Sequence, residues 1–285
     1  MIIDAHYHLE ERIETMDSLL EQMDRHGISR VALIPTPVAP FQVERVAEKA
    51  SAVMRRALVG RWRGLGLLMY RTTVTAGGNF SALGKTYPIY DVPDNESVAQ
   101  AMQAHPDRFY GWLFVNPGAA DPIAELEKWN GEPGWIGVKS HPFWHRYPVA
   151  MLDEVAAYCD EQSWPLLVHL GGDQESGDYQ YLPERHPNLK VLYAHAGVPF
   201  YHEVWDYAKG KENLFVDLSS PHYVDERVRL GALKALGAER CLHGTDGPYG
   251  HFGQGRMVQA ILRLPLSDTE KERVLGGSFI ELINA

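Results

Sequence analysis

Cysteine is nearly absent from the 285 residues: only Cys159 and Cys241 occur, too few and too far apart for a disulfide framework or a cysteine zinc site. An excess of positive charge is missing too. Lys and Arg number 27 against 37 Asp and Glu, a net charge of −10, which argues against nucleic acid and anionic membrane as partners. No apolar stretch approaches the roughly 20 residues of a membrane span, and the N-terminus has no basic region followed by an apolar run. A reducing cytoplasm is therefore the expected compartment. A phosphate-binding loop is also lacking. Residues 78–86, GNFSALGKT, imitate one, but five residues separate Gly78 from Gly84 where that loop needs four.

What is present is an ordinary globular composition, 45% hydrophobic and 22% charged. Its apolar runs alternate with helical patterns. Residues 1–8, 30–35, 108–116, 134–140, 165–169, 189–195, 213–218 and 240–246 read as eight strands. Helices are expected over 15–26, 41–59, 96–105, 123–130, 150–161, 202–209, 224–236 and 268–283. Gly27 stops the first of them, and Ser267 with Glu270 opens the last in a capping box. Strand–helix–strand units imply a parallel sheet. The expected fold is α/β, a (β/α)8 TIM barrel formed by residues 1–285 as a single domain, with a doubly wound open sheet as the alternative.

Residues 35–94 break this rhythm. The stretch 64–75 is ambiguous and 76–93 is rich in Gly, Pro, Asn and Tyr. So long an insertion after the second strand is expected to be a lid over the barrel mouth. Arg61, Arg63, Arg71, Tyr87 and Tyr90 are available in it for a substrate carboxylate.

The opening MIIDAHYH places Asp4, His6 and His8 two apart, on one face of a strand, with Ile3, Ala5 and Tyr7 on the other. Neutral imidazole is the commonest metal ligand. Lys139, His169, His195 and Asp246 end the fourth, fifth, sixth and eighth apolar runs. In a barrel, such strand ends converge on one mouth.

MIIDAHYH, GVKSHP, LLVHLGG, VLYAHAG and LHGTDGPY together resemble the successive strand-end motifs of the amidohydrolase superfamily. They are most similar to its amidohydrolase-2 branch, which includes hydrolases and the aminocarboxymuconate-semialdehyde and resorcylate decarboxylases. The resemblance excludes roughly residues 36–95. It implies that His6, His8, His169 and Asp246 hold a divalent metal, most often Zn2+, and that His195 binds a second metal or orients water or substrate. Lys139 either is carboxylated and bridges two metals or stays an ammonium for a substrate carboxylate. One metal is favoured. Histidine nitrogens with one carboxylate suit zinc, whose bound water has a pKa of about 7. Asp246 can then shuttle the proton, with His195 polarising the carbonyl. His141, like Arg71, is a candidate substrate contact, although His141 and His145 are read first as exposed loop residues.

Branch decarboxylases often carry proline three residues after the second histidine. Here that position is Glu11, which, with Lys139, leans towards hydrolysis. The expected activity is cleavage of an amide, ester or lactone bond in a small, carboxylated substrate. Alternatives are non-oxidative decarboxylation and a catalytically inactive barrel that binds a ligand. Homodimer formation is left open.

Overall fold

Thr15 accepts the Ser18 backbone N–H, and Gly27 at φ 68° closes the helix Met16–His26, so the chain turns directly into the second strand. The computed structural model describes residues 1–41, 45–249 and 253–284. Its strands are β1 (Ile2–Leu9), β2 (Ile28–Pro35), β3 (Asn79–Ala82), β4 (Lys85–Pro88), β5 (Phe109–Phe114), β6 (Trp135–Ser140), β7 (Leu166–Val168), β8 (Val191–Tyr193), β9 (Leu214–Asp217) and β10 (Cys241–Leu242). β1, β2 and β5 to β10 pair in that order as one parallel eight-stranded sheet. The first and last strands meet. Ala5 N–H donates to the His243 carbonyl (2.9 Å), His8 N–H to Gly247 (2.8 Å), and Asp246 N–H to His6 (2.8 Å). This is the TIM barrel, and the open-sheet alternative falls.

Ile3, Ala5, Ala32, Ile34, Trp112, Leu167 and Leu192 form the inner cluster of buried side chains, and a larger cluster packs the strands against the helices. No helix among the described residues is long and apolar enough to cross a membrane.

Four local expectations need correction. The β1–β2 register slips between Asp4 and Tyr7, where Ala5 and His6 together oppose Ala32. Such a bulge re-aims side chains. His6 and His8 line the barrel mouth, but Asp4 turns away to accept the Thr245 N–H (3.0 Å) and hydroxyl (2.5 Å), while Tyr7 joins the outer cluster. The last helix is broken: Asp268–Glu272, with its capping box, is separated by a π-turn from Ser278–Asn284. The turn brings Gly276 against the start of β1, where a Cβ would stand 2.9 Å from the Met1 carbonyl. The eighth strand is only two residues long, because the chain after it leaves the sheet direction and bonds back to β1. Finally, the insertion consists of α2 (Arg45–Val59), α3 (Arg63–Arg71) and the β3–β4 hairpin, which contains the false phosphate loop. Residues 42–44 of the expected helix 41–59 lie outside the described set.

Candidate metal centre and active-site cavity

His6 lies in the β1 bulge and His8 just after it, and both are buried. Asp246, in the left-handed conformation (φ 60°) after β10, places Oδ1 at 3.6 Å from His6 Nε2 and 3.4 Å from His8 Nε2. Burial alone would raise the Asp246 carboxyl, but His195, His8 and His6 outweigh it and hold it well below the usual carboxylate range. His195, also left-handed (φ 53°), puts Nε2 at 3.8 Å from Asp246 Oδ2.

The ring tautomers follow from a carboxylate at the end of β9. Asp217 is fully buried, and despite the burial its carboxyl is held well below the usual range by His6 and His195, so it only accepts. His6 Nδ1 donates to its Oδ2 at 3.0 Å, which leaves the His6 Nε2 lone pair for a ligand. Oδ1 accepts from the His195 N–H, the Ser219 N–H and the Ser219 hydroxyl. With its one proton committed, Ser219 Oγ must accept from His195 Nδ1 (2.8 Å). With Nδ1–H on Ser219, His195 presents a lone pair at Nε2. In that tautomer Nε2 can bind a cation or accept a proton, and it accepts a hydrogen bond rather than donating one. Sequence reasoning assigned nothing to the seventh strand, although polar Asp217, Ser219 and Ser220 close its apolar run.

His169 follows β7 and lines the same cavity, its ring centroid 4.7 Å from that of His195 and 4.0 Å from that of His141. Tyr70 of α3, far away in sequence, lies 2.9 Å from its Nε2. Contrary to expectation His141 is buried; its Nδ1 accepts the Trp144 N–H, so Nε2 carries the proton. His145 is half-buried, with Nε2 on the Tyr90 carbonyl. Lys139, at the end of β6, is fully buried with no hydrogen-bond partner for Nζ, and burial lowers it to about 8 against the pull of Asp217 and Asp246.

His6, His8 and Asp246 each offer one ligand atom within 4.8 Å of the others. A second such group, His6, His195 and Asp217, is less suited to an ion because the Asp217 oxygens are already engaged. A divalent cation fits the first: the buried His6 Nε2 has no hydrogen-bond partner, and imidazole with carboxylate is a zinc-type donor set. His169 is not part of that tight group.

The sequence profile described as amidohydrolase, of the amidohydrolase-2 family, matches residues 3–278. The chain belongs to the amidohydrolase-2 family. Among solved structures, the chain resembles 5-carboxyvanillate decarboxylase of Sphingomonas paucimobilis at 15% identity and TM-score 0.63, over 99% of this chain and 98% of that one. It resembles a Polaromonas dihydroxybenzoic acid decarboxylase with bound manganese and 2-nitroresorcinol at 17% and 0.61, over 99% and 96%. It also resembles a Pseudomonas putida protein assigned as a 2-pyrone-4,6-dicarboxylic acid hydrolase at 16% and 0.64, over 99% and 97%. At these identities the likeness shows the fold. No curated protein matches the chain.

The cavity of about 250 Å³ has a polar floor and an apolar wall. The insertion supplies Phe41, Met54, Met69 and Phe80 to that wall, and Trp144 and Tyr249 continue it. The arginines expected to meet the substrate, Arg61, Arg63 and Arg71, do not line it. Arg71 does not reach the cavity: Nε donates to the Gly172 carbonyl (2.6 Å), and the side chain borders a separate depression with Arg146 and Asp173. Arg63 pairs with Glu203 (2.6 Å), Arg61 lies over Trp62, and Tyr90 receives Arg12. Tyr87 packs on Phe41.

Arg55 of α2 clamps the insertion to the loop after β9, donating to Asp225 (2.9 Å) and to the carbonyls of Pro221 (3.1 Å) and His222 (2.8 Å). Charged hydrogen bonds of this kind contribute about 1.5–3 kcal/mol each. Arg55→Ala is therefore expected to speed amide exchange in α2 by roughly tenfold or more while β5–β9 exchange as before. Unchanged protection of α2 would refute the clamp.

Proposed function

We propose that this chain is a metal-dependent hydrolase, with zinc as the metal, that attacks a carbonyl carbon of a small substrate carrying an apolar body: an amide, ester or lactone. Residues 1–285 then work as one catalytic unit with 35–94 as its lid. The observation that carries the reading is Lys139, a fully buried amine with no hydrogen-bond partner among the described residues, lining the same cavity as Asp246. As an ammonium it stabilises negative charge gathering on a carbonyl oxygen. Over a carboxylate, the same ammonium would hold charge where decarboxylation has to remove it.

His6, His8, His169 and Asp246 would hold one metal. A divalent metal bound there supplies Lewis acidity and makes water nucleophilic at neutral pH. Asp246 takes the proton of the attacking water and passes it to the leaving nitrogen or oxygen. The His195 Nε2 lone pair stands ready to orient that water, and the His141 Nε2–H and Lys139 hold the substrate's acceptor oxygens. The apolar wall from the insertion fits the substrate body and excludes bulk water.

Zinc per chain, measured in wild type, Lys139→Ala and His195→Asn, is expected to be about one in all three, in keeping with a single three-histidine, one-carboxylate site. About two in wild type, falling in both variants, would replace this with a binuclear site bridged by carboxylated Lys139. Screening of amides, esters, lactones and aromatic carboxylic acids separates the reactions. Acid release without carbon dioxide is expected, and stoichiometric carbon dioxide would make the enzyme a decarboxylase.

A further inference from the structure

We propose that Tyr70, in the insertion rather than in the barrel, is a positioning residue that selects which nitrogen of His169 meets the metal. The inference rests on the metal-centre reading above and adds a residue that no strand end supplies. Tyr70 is fully buried, and its hydroxyl makes two contacts: the Leu170 carbonyl at 2.8 Å and His169 Nε2 at 2.9 Å. A carbonyl can only accept, so the single phenolic proton goes to Leu170. The lone pairs that remain on the oxygen must then receive Nε2–H of His169. Nδ1 is left with the lone pair, as a ligand requires.

The carbonyl of the neighbouring residue thus fixes the phenol, and the phenol fixes the imidazole. His141 stacks on the other side of the ring at 4.0 Å, so both rotation and proton position of His169 are set before any cation arrives. The tyrosine ring is itself held by stacking on Phe143 at 4.3 Å and 14°. Phenylalanine in its place keeps that packing and removes only the oxygen. The next residue, Arg71, grips the same loop at the Gly172 carbonyl without touching His169, which makes it the control for simple loop docking.

The test is the dissociation constant for Zn2+, by competition with a chromophoric chelator, in wild type, Tyr70→Phe and Arg71→Gln, together with the melting temperature of each metal-free protein. Tyr70→Phe is expected to weaken Zn2+ binding about 10–100-fold, the usual effect of losing an outer partner of a ligating histidine. Arg71→Gln should leave affinity unchanged. Equal affinity in wild type and Tyr70→Phe overturns the assignment, and so does an equal loss in both variants, which would mean loop docking alone. A wild-type chain that takes up no Zn2+ overturns the metal-centre reading itself, and is distinguished by that. Should Tyr70→Phe fail to fold, nitrogen NMR of metal-free wild type, assigned by subtraction of His169→Asn, decides the matter. A protonated Nε2 supports the proposal, and a protonated Nδ1 refutes it.

Discussion

Asp246→Asn is expected to lower turnover by roughly 100- to 10,000-fold, the range that a positioned acid–base group contributes, while retaining part of the bound metal. Among the described residues, the carboxylate is the one acidic group that approaches His6, His8 and His195 together, at 3.4–3.8 Å from all three. Their combined field holds its carboxyl well below the usual range, so on the proposed reading it serves as base and ligand at once. An asparagine oxygen can still coordinate, but the amide neither accepts the proton from water nor returns it to a leaving group. Steady-state rates and metal content on the same preparation check this. A variant with full metal and undiminished kcat would remove Asp246 from the proton path.

Asp217→Asn should damage the site as severely without touching substrate. The carboxylate accepts from the His6 ring and from the His195 backbone, and it takes the Ser219 proton that sets the His195 tautomer. Asparagine can offer His6 Nδ1 an N–H instead of an acceptor, which would move the His6 proton to Nε2, the ligand position. Metal affinity is expected to fall about 10–100-fold. Removing one partner of a buried charged network also costs about 3–5 kcal/mol of stability. Chelator competition and denaturant unfolding of the metal-free protein read the two effects separately. An unchanged affinity with lowered stability would reduce Asp217 to a structural role.

Much of this was legible in the chain. The barrel followed from apolar runs alternating with helical periods. The cavity floor followed from the polar residues ending those runs, since His6, His8, Lys139, His169, His195 and Asp246 all line one cavity, although His141, read first as an exposed loop residue, lines it too. What escaped depends on partners distant in sequence. The β1 bulge exists only as a register against β2, so Asp4 looked equivalent to His6 until the pairing was known. Tyr70 meets His169 across 99 positions, with nothing local to mark it. Asp217 was readable in principle, by the same strand-end logic as Asp246. The insertion was recognisable by its length, but not its sidedness: Arg55, Arg63 and Arg71 are taken up by ion pairs and carbonyls, and Met54, Met69, Phe41 and Phe80 face the cavity.

His195, Ser220 and Asp246 all hold left-handed backbone at strand ends, with φ of 53°, 57° and 60°. Each such non-glycine residue costs of order 1–3 kcal/mol. At His195 and Asp246, which the proposed chemistry uses, selection for robustness and selection for chemistry pull in opposite directions. A library screened only for heat resistance should enrich glycine there, and the hardier clones would be the inactive ones. Where the three strands bend is thus where a thermostabilised descendant of this enzyme has least freedom to improve.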